Sequence, residues 1–224
     1  MLLTGGCFVA VMVTVKFLSK ELPTIQAAFF RYLFGLIIIL PLIGFQFKKK
    51  IKNIPIFKHG IRGIIHGFAV VLWFYSVANI PMADVTAINY LTPIFTTIGA
   101  ILIFKEVITF NRFFALILSF IGALLILKPG FEIFSDGKIA QLFSTILFAA
   151  SYLIAKNLTK TESTDMIVIF LTLFATITLF PFTLFLWVKP TMDDLLLLFG
   201  VAILGTIGHY FMTMALSLAP LTVT

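Results

Sequence analysis

The stretch "WFYSVANIPMADVTAINYLTP", residues 73–93, interrupts a long apolar passage with Asn79 and Pro81 and then continues as another apolar segment. A related stretch, "MTMALSLAPLTVT", occupies residues 212–224, with Pro220 placed 139 positions after Pro81. Each stretch follows an apolar segment and combines small residues with a proline. A break of this kind that occurs twice at a long fixed distance indicates an internal repeat, which has to be recognised before any local feature is interpreted.

The composition of the chain places it in a membrane. Of its 224 residues, 61% are hydrophobic and only 11% are charged, whereas a soluble domain has roughly 25% charged residues. The net charge is +7, but the basic residues lie between apolar segments, where membrane topology explains them better than nucleic-acid binding does. The single cysteine, Cys7, excludes an internal disulfide.

Eight apolar stretches are long enough to cross a bilayer, which takes about 20 mostly apolar residues per helix. They are predicted at 1–18, 25–46, 60–79, 83–104, 110–128, 138–157, 165–188 and 195–218. None of them shows the alternating pattern of a membrane β-strand. We therefore expect an all-α, polytopic membrane helix bundle.

The distribution of lysine and arginine predicts the orientation of the bundle. The segment "FKKKIKNIPIFKHGIR", residues 47–62, carries six of the sixteen basic residues. If it is cytoplasmic, ten basic residues lie inside and four lie outside, as the positive-inside rule requires. The sequence thus predicts a cytoplasmic N-terminus, and we expect a multi-pass protein of a bacterial inner membrane.

The repeat becomes visible when the chain is shifted against itself by 140 residues. Residues 8–41 then align with residues 148–181 without a gap, and 11 of the 34 positions are identical. The most informative identical pair is Lys16 with Lys156, because matches between apolar residues are expected by chance in such a sequence. The chain is therefore interpreted as two copies of one unit.

Each unit is predicted to contain five helices. The first copy would occupy residues 1–130, and the second, 138–224, would be incomplete, with three helices and the start of a fourth. An odd number of helices places the second copy in the opposite orientation, and inverted repeats of this type build secondary transporters with a substrate site between the repeats. Eight of ten helices would be present, so we expect a C-terminally truncated form of a ten-helix protein.

The segments "FYSVANIPMADVTAINYLTPIFTTIGAILIFKE" (74–106), "LILSFIGALLILKPG" (116–130) and "RYLFGLIIILP" (31–41) carry a resemblance to a known family. The chain resembles the EamA-type transporters of the drug/metabolite transporter superfamily, and the likeness covers essentially its whole length. The features that resemble the family are Pro81, Ala83, Asp84, Pro93, Glu106, Gly122, Pro129 and Gly130. The resemblance implies metabolite transport, and similar members carry S-adenosylmethionine, riboflavin or amino acids. The chain departs from the family in lacking the ninth and tenth helices.

Polar side chains inside membrane spans indicate where a transported molecule could bind. In the fourth span Thr86, Asn89, Pro93 and Thr96 recur at steps of three or four. A similar set, which includes His209, Tyr210 and Thr213, follows the eighth span. These two stripes would line a cavity or form hydrogen bonds between helices. The candidate substrate-binding residues are Trp73, Tyr75, Thr86, Asn89, Tyr90, Pro93, Tyr152, His209, Tyr210 and Thr213.

Arg31 is the charged residue placed inside a span, and the aligned position of the second copy is Leu171. Its side chain would extend to the interface, or it would meet an anionic substrate or Asp84. His209 could relay protons or form a hydrogen bond between helices. His66 and His209, the histidines within the predicted spans, show no metal-binding spacing, so no metal or cofactor is expected.

A secondary active transporter of a small metabolite is the function that this pattern favours. The sequence has no "GxxxxGK[ST]" motif for ATP and no motif of an intramembrane enzyme. A passive channel or a lipid-flippase-like protein would share the architecture. The expected partners are an amino-acid, nucleoside or vitamin-like metabolite and membrane lipids, with no nucleic acid, and the sequence leaves a homodimer open.

Overall fold

The computed structural model describes residues 1–18, 20–46, 54–127 and 135–221. All regular structure within these residues is helical, which confirms the predicted all-α bundle. The helices are α1 (Leu2–Val15), α2 (Thr24–Gln46), α3 (Ile56–Asn79), α4 (Met82–Asn89), α5 (Thr92–Phe104), α6 (Phe110–Leu127), α7 (Asp136–Leu158), α8 (Thr164–Phe185) and α9 (Met192–Leu218).

The helices have the length and composition of membrane spans. Seven segments of the described chain are long and apolar enough to cross a bilayer, with α4 and α5 counted together, and α1 is a shorter apolar helix. The last three helices begin at residues that satisfy the free backbone N–H groups of a helix start. Ser135, Ser163 and Thr191 each accept a hydrogen bond from the backbone N–H three residues later. The chain is a multi-pass membrane protein.

The third span begins earlier than predicted. The sequence predicts its start at residue 60, whereas α3 begins at Ile56, so that Lys58 belongs to the helix and not to the preceding loop. Arg62, which was counted with the basic segment 47–62, is buried within the span. Its Nη1 donates a hydrogen bond of 2.9 Å to the Ile167 carbonyl oxygen on α8, which supplies a backbone acceptor for the buried guanidinium.

The fourth span is divided into two helices. α4 ends at Asn89 and α5 starts at Thr92, with a tight turn closed by a hydrogen bond from Leu91 N–H to the Ile88 carbonyl oxygen. Pro93 accounts for the break, because it has no N–H to continue the helical ladder and its ring collides with the preceding turn. The prediction of one continuous polar stripe assumed an unbroken helix, so the side chains beyond Asn89 no longer follow the same face.

Helix packing follows the internal repeat. In the repeat, α1, α2 and α3 correspond to α7, α8 and α9. α1 packs chiefly on α9, and the corresponding contact, with the two copies exchanged, is that of α7 with α3. In the same way α2 packs on α9 as α8 packs on α3. The sequence pair Gly63 and Gly67 lies at the close contact of α3 with α8, where an added Cβ at Gly63 would overlap Phe174. The GxxxG spacing of these two residues is typical of such close helix packing.

The aligned lysines make equivalent hydrogen bonds. Lys16 Nζ, just after α1, donates to the carbonyl oxygens of Val77 (2.7 Å) and Ile80 (3.1 Å) at the end of α3. Lys156 Nζ, near the end of α7, donates to the carbonyl oxygens of Leu216 (2.6 Å) and Ala219 (2.7 Å) at the end of α9. An ammonium group is a favourable partner for the unpaired carbonyls and negative dipole at a helix C-terminus. We call these two contacts the lysine ties.

The two lysine ties lie at opposite ends of the bundle. Ile80, which accepts from Lys16, packs against Gly137 in the first turn of α7. Lys156 lies 19 residues further along the same helix than Gly137, or about 29 Å at 1.5 Å per residue. Equivalent contacts of the two copies thus face opposite ends, as expected for an inverted repeat.

Candidate functional site

A cavity with a volume of about 60 Å³ lies between two helix pairs. One pair is α1 with α9 and the other is α3 with α7, and α2 and α4 complete the wall. The residues that line it are Phe8, Val11, Arg31, Val70, Trp73, Asn89, Phe148, Tyr152 and His209. The cavity is smaller than a small-molecule site, about 300–1,000 Å³, so the helix pairs would have to separate to admit a metabolite. An apolar wall with a few polar groups is typical of such a site.

Arg31 supplies the charge of the cavity. Arg31 is 5% exposed, so its side chain does not extend to the membrane interface. Its Cζ lies 4.3 Å from the centre of the Tyr32 ring, a cation–π distance. Asp84, the alternative partner suggested by the sequence, instead pairs with Lys138 at 3.2 Å. The membrane interface and Asp84 are therefore not the partners of Arg31 in this structure, and its contact with an anionic substrate stays a prediction.

Arg31 is accommodated by a glycine on the facing helix. An added Cβ at Gly205 of α9 would lie 2.6 Å from Arg31 Nη2 and 3.1 Å from both Cζ and Nε. The position is nearest to Nη2 and equally far from Cζ and Nε, so it lies at the edge of the guanidinium that carries Nε and Nη2. Gly205 thus permits this edge of Arg31 to approach α9, where an alanine would displace it.

A histidine pair connects the two sides of the cavity. His66 on α3 and His209 on α9 have their Nε2 atoms 3.3 Å apart, and His66 Nδ1 lies 2.8 Å from Ser151 Oγ on α7. The proton positions are assigned from the geometry, since one of the two Nε2 atoms has to carry the hydrogen. His209 Nδ1 is buried and has no hydrogen-bond partner among the described residues. Leaving such an atom unpaired costs about 1–3 kcal/mol.

No carboxylate of the described residues balances the basic groups around the cavity. The acidic residues of the described chain lie in loops or in the first turn of a helix. Those in the loops are Glu21, Glu106 and Glu162, and those in first turns are Asp84, Asp136, Asp165, Asp193 and Asp194. The bundle interior around the cavity therefore holds an excess of positive charge.

The structure brings together five of the residues proposed from the sequence: Arg31, Trp73, Asn89, Tyr152 and His209. The other candidates lie elsewhere. Thr86 donates to the Met82 carbonyl oxygen within its own helix. Thr213 is buried away from the cavity lining, and Tyr75, Tyr90, Pro93 and Tyr210 are exposed on the outside of the described bundle.

Some polar groups near the cavity were not among the candidates. His66 and Ser151 were noticed only as polar residues of their spans, and their hydrogen bond depends on how α3 packs on α7. Arg62 was assigned to a loop. The signal that could have identified it is its spacing of four residues from His66, which places both on one face of α3.

Two larger apolar grooves lie elsewhere in the described chain. One lies between α3, α5 and α7 and the other between α5 and α6, and each has a volume of about 460 Å³. Both are lined almost wholly by apolar side chains. No group of three or more His, Cys, Asp or Glu residues that could hold a metal ion occurs in the described chain. The polar cavity is therefore the candidate site.

The fold and the cavity define a helical membrane protein with a polar cavity between equivalent helices of an internal repeat, an arrangement typical of membrane transport proteins. The model of the EamA-like transporter family matches residues 1–128. The chain belongs to this family of transporters.

Relatives across the chain are also named as transporters. The chain is 28% identical over 209 residues to the S-adenosylmethionine uptake transporter of Rickettsia prowazekii, covering 93% of this chain and 71% of that protein. It is 26% identical to the pseudopaline exporter CntI of Pseudomonas aeruginosa, covering 96% and 80%. The riboflavin transporter of Vibrio cholerae is 25% identical, covering 98% and 75%. These proteins are transporters and not enzymes, and the chain is accordingly a membrane transport protein.

A solved crystal structure has the same fold. It superposes with a TM-score of 0.74 at 14% identity and covers 99% of this chain and 80% of the other. At this identity the likeness concerns the fold alone.

Proposed function

We propose that the protein is a secondary active transporter that moves a small metabolite by alternating access. The observation that carries the proposal is the polar cavity between the α1–α9 and α3–α7 pairs, which lies between equivalent elements of an inverted repeat. A metabolite bound there would leave toward one end of the bundle or the other as the two pairs separate. The named substrates of the relatives are small metabolites, which supports this substrate class.

The lysine ties are suited to control access to the cavity. Lys16 joins the α1–α9 pair to α3 at one end, and Lys156 joins α7 to α9 at the other end. Each tie therefore links the two pairs that enclose the cavity. In this mechanism the release of one tie opens one end while the other tie keeps the opposite end closed.

The proposed orientation assigns these ends to the two sides of a bacterial inner membrane. With the N-terminus in the cytoplasm, as the lysine and arginine distribution predicts, the Lys16 tie lies on the outer side. The Lys156 tie then lies on the cytoplasmic side. The substrate path would run from one tie, through the cavity, to the other.

A passive channel or a lipid-flippase-like protein is the alternative of the same architecture. A carrier and these alternatives differ in kinetics, because a carrier has to return its binding site to the first side of the membrane before each new cycle. The test uses the full-length protein in proteoliposomes with a mixture of amino acids, nucleosides and vitamins, measured by mass spectrometry. A carrier shows saturable entry, and an unlabelled substrate inside accelerates entry of the labelled one. Entry proportional to concentration, with no acceleration, would contradict the proposal.

A matched pair of substitutions tests whether the cavity is the substrate path. Asn89→Leu replaces a polar side chain of the cavity, and Asn79→Leu makes the same change at an exposed residue whose amide bonds only to the Tyr75 carbonyl oxygen. Loss of one hydrogen bond to substrate costs about 1 kcal/mol, so Asn89→Leu should reduce the apparent affinity roughly fivefold. Asn79→Leu should leave it unchanged. Equal effects of the two substitutions would exclude this path.

A further inference from the structure

We propose that the transported metabolite carries a carboxylate group, and that the Arg31 guanidinium binds that carboxylate in the cavity. The aromatic walls would contact an apolar or aromatic remainder of the molecule. This inference rests on the proposed function and adds the substrate class. The first observation is that Arg31 lines the cavity at 5% exposure, with no ion-pair partner among the described residues.

The second observation is the charge of the surrounding helices. Arg62 and Arg31 both lie within electrostatic reach of His66 and His209. The described acidic residues are all confined to loops and to first helical turns. A guanidinium keeps its charge in proteins, and a buried charge requires a partner of opposite sign. The bound molecule is the component of the transport cycle that can provide it.

The third observation is the position of the Arg31 guanidinium. The Tyr32 ring lies against it, and α9 at Gly205 lies beside its Nε and Nη2. A guanidinium donates its hydrogen bonds in its own plane, in a fork that matches the two oxygens of a carboxylate. Gly205 has no side chain at this edge, so the helix that faces Arg31 does not cover it with one.

The histidine pair supplies a second donor to an anion. If Ser151 Oγ–H donates to His66 Nδ1, His66 Nε2–H donates to His209 Nε2, and His209 Nδ1 then carries a hydrogen. Every member of this chain is neutral, and its last N–H is the buried atom that has no partner among the described residues. An anion beside His209 would favour this order of donors and acceptors, because it would accept a hydrogen bond from His209 Nδ1–H. In the opposite order, His209 Nδ1 would be an acceptor and could not bind an anion.

The composition of the wall favours a carboxylate over a phosphate ester. Arg31 is the only formally charged side chain of the lining, and it matches a single negative charge. Trp73, Phe148 and Phe8 provide flat apolar surfaces for the rest of the molecule. A phosphate dianion would require further positive charge within contact distance.

The test compares acids with their amides in proteoliposomes of the full-length protein. The probe mixture contains carboxylates, including amino acids, aromatic acids and S-adenosylmethionine. It also contains compounds without a carboxylate, including nucleosides, riboflavin and sugar phosphates. Each compound that enters as an acid is then tested as its amide. We expect only carboxylates to enter, with at least a tenfold preference over the amide. Arg31→Gln should reduce the acid-to-amide ratio to near one, and Lys189→Gln, at an exposed site, should leave it unchanged.

The possible failures can be told apart. Entry of nucleosides, riboflavin or sugar phosphates in place of carboxylates would overturn the substrate class while transport stands. An acid-to-amide ratio near one in the unmodified protein would do the same, even if Arg31→Gln does not fold. Entry of no compound in the mixture would overturn the proposed function and this inference together.

Discussion

Gly205→Ala changes the position of the Arg31 guanidinium without removing its charge. The new Cβ would lie 2.6 Å from Nη2, whereas ordinary van der Waals contact begins at 3.4 Å. The guanidinium therefore has to move by about 0.8 Å. Movement away from α9 carries it toward or along the cavity wall, out of the position that the glycine permits.

The magnitude of the effect follows from the geometry of charged hydrogen bonds. Their donor–acceptor distances are about 2.7–2.9 Å, and hydrogen bonds to charged groups contribute about 1.5–3 kcal/mol. A displacement of 0.8 Å should remove roughly 1.4 kcal/mol of binding free energy, about half of what one such hydrogen bond contributes at the upper end of this range. This loss corresponds to a tenfold weaker affinity. Folding should be maintained, because alanine is favoured over glycine within helices by about 1 kcal/mol.

The assay is the concentration dependence of uptake in proteoliposomes, together with the thermal unfolding of the purified protein. Gly200→Ala is the matched control, since it lies on the same helix and its Cβ would meet no atom within 4 Å. We expect Gly205→Ala to raise the half-saturating concentration about tenfold and Gly200→Ala to leave it unchanged. Equal uptake by both variants, with both folded, would refute the placement of Arg31 at the substrate.

Two further predictions concern the ends of the bundle. A cysteine at Val70, which lines the cavity and is 3% exposed, should react in a cysteine-free background with a membrane-impermeant thiol reagent from outside at least tenfold faster after Lys16→Met. The reason is that the lost tie contains hydrogen bonds to a charged donor, worth about 1.5–3 kcal/mol each. Lys156→Met should increase the reaction from the cytoplasmic side instead, and the same response to both substitutions would exclude separate gates. In intact cells, a cysteine at exposed Asp136 should react with this reagent and one at exposed Thr161, at the other end of α7, should not. The reverse labelling would invert the proposed orientation.

Most of the fold could be predicted because membrane spans are determined by the composition of segments, a property that the sequence shows directly. The start of α3 was placed four residues late, and Arg62 was counted with the basic loop segment, since a buried arginine bonded to a carbonyl of another helix cannot be distinguished by sequence from a loop arginine. The break after Asn89 was not predicted. Pro93 was placed in the fourth span, but the separation of the span into two helices depends on the local turn.

The candidate site was predictable as a set of residue types but not as an arrangement. Arg31 and His209 were singled out because polar groups in membrane spans are costly, and both line the cavity. Tyr90 and Tyr210 satisfied the same criterion and lie outside it, because periodicity does not specify which face of a helix meets its neighbours. The pairing of His66 with His209 requires the relative register of α3 and α9, which two separate segments of sequence do not contain.

The equivalence of the lysine ties has a consequence for the direction of transport. Each tie joins one ammonium to two carbonyl oxygens, so the two ends of the bundle are closed by contacts of the same kind. The Asp84–Lys138 ion pair is an additional contact at the Lys16 end, and its side chains are 8% and 15% exposed. Closures of the same kind at both ends would leave the direction of net flux to the solute gradients, and one architecture can then serve relatives named as an uptake transporter and as an exporter.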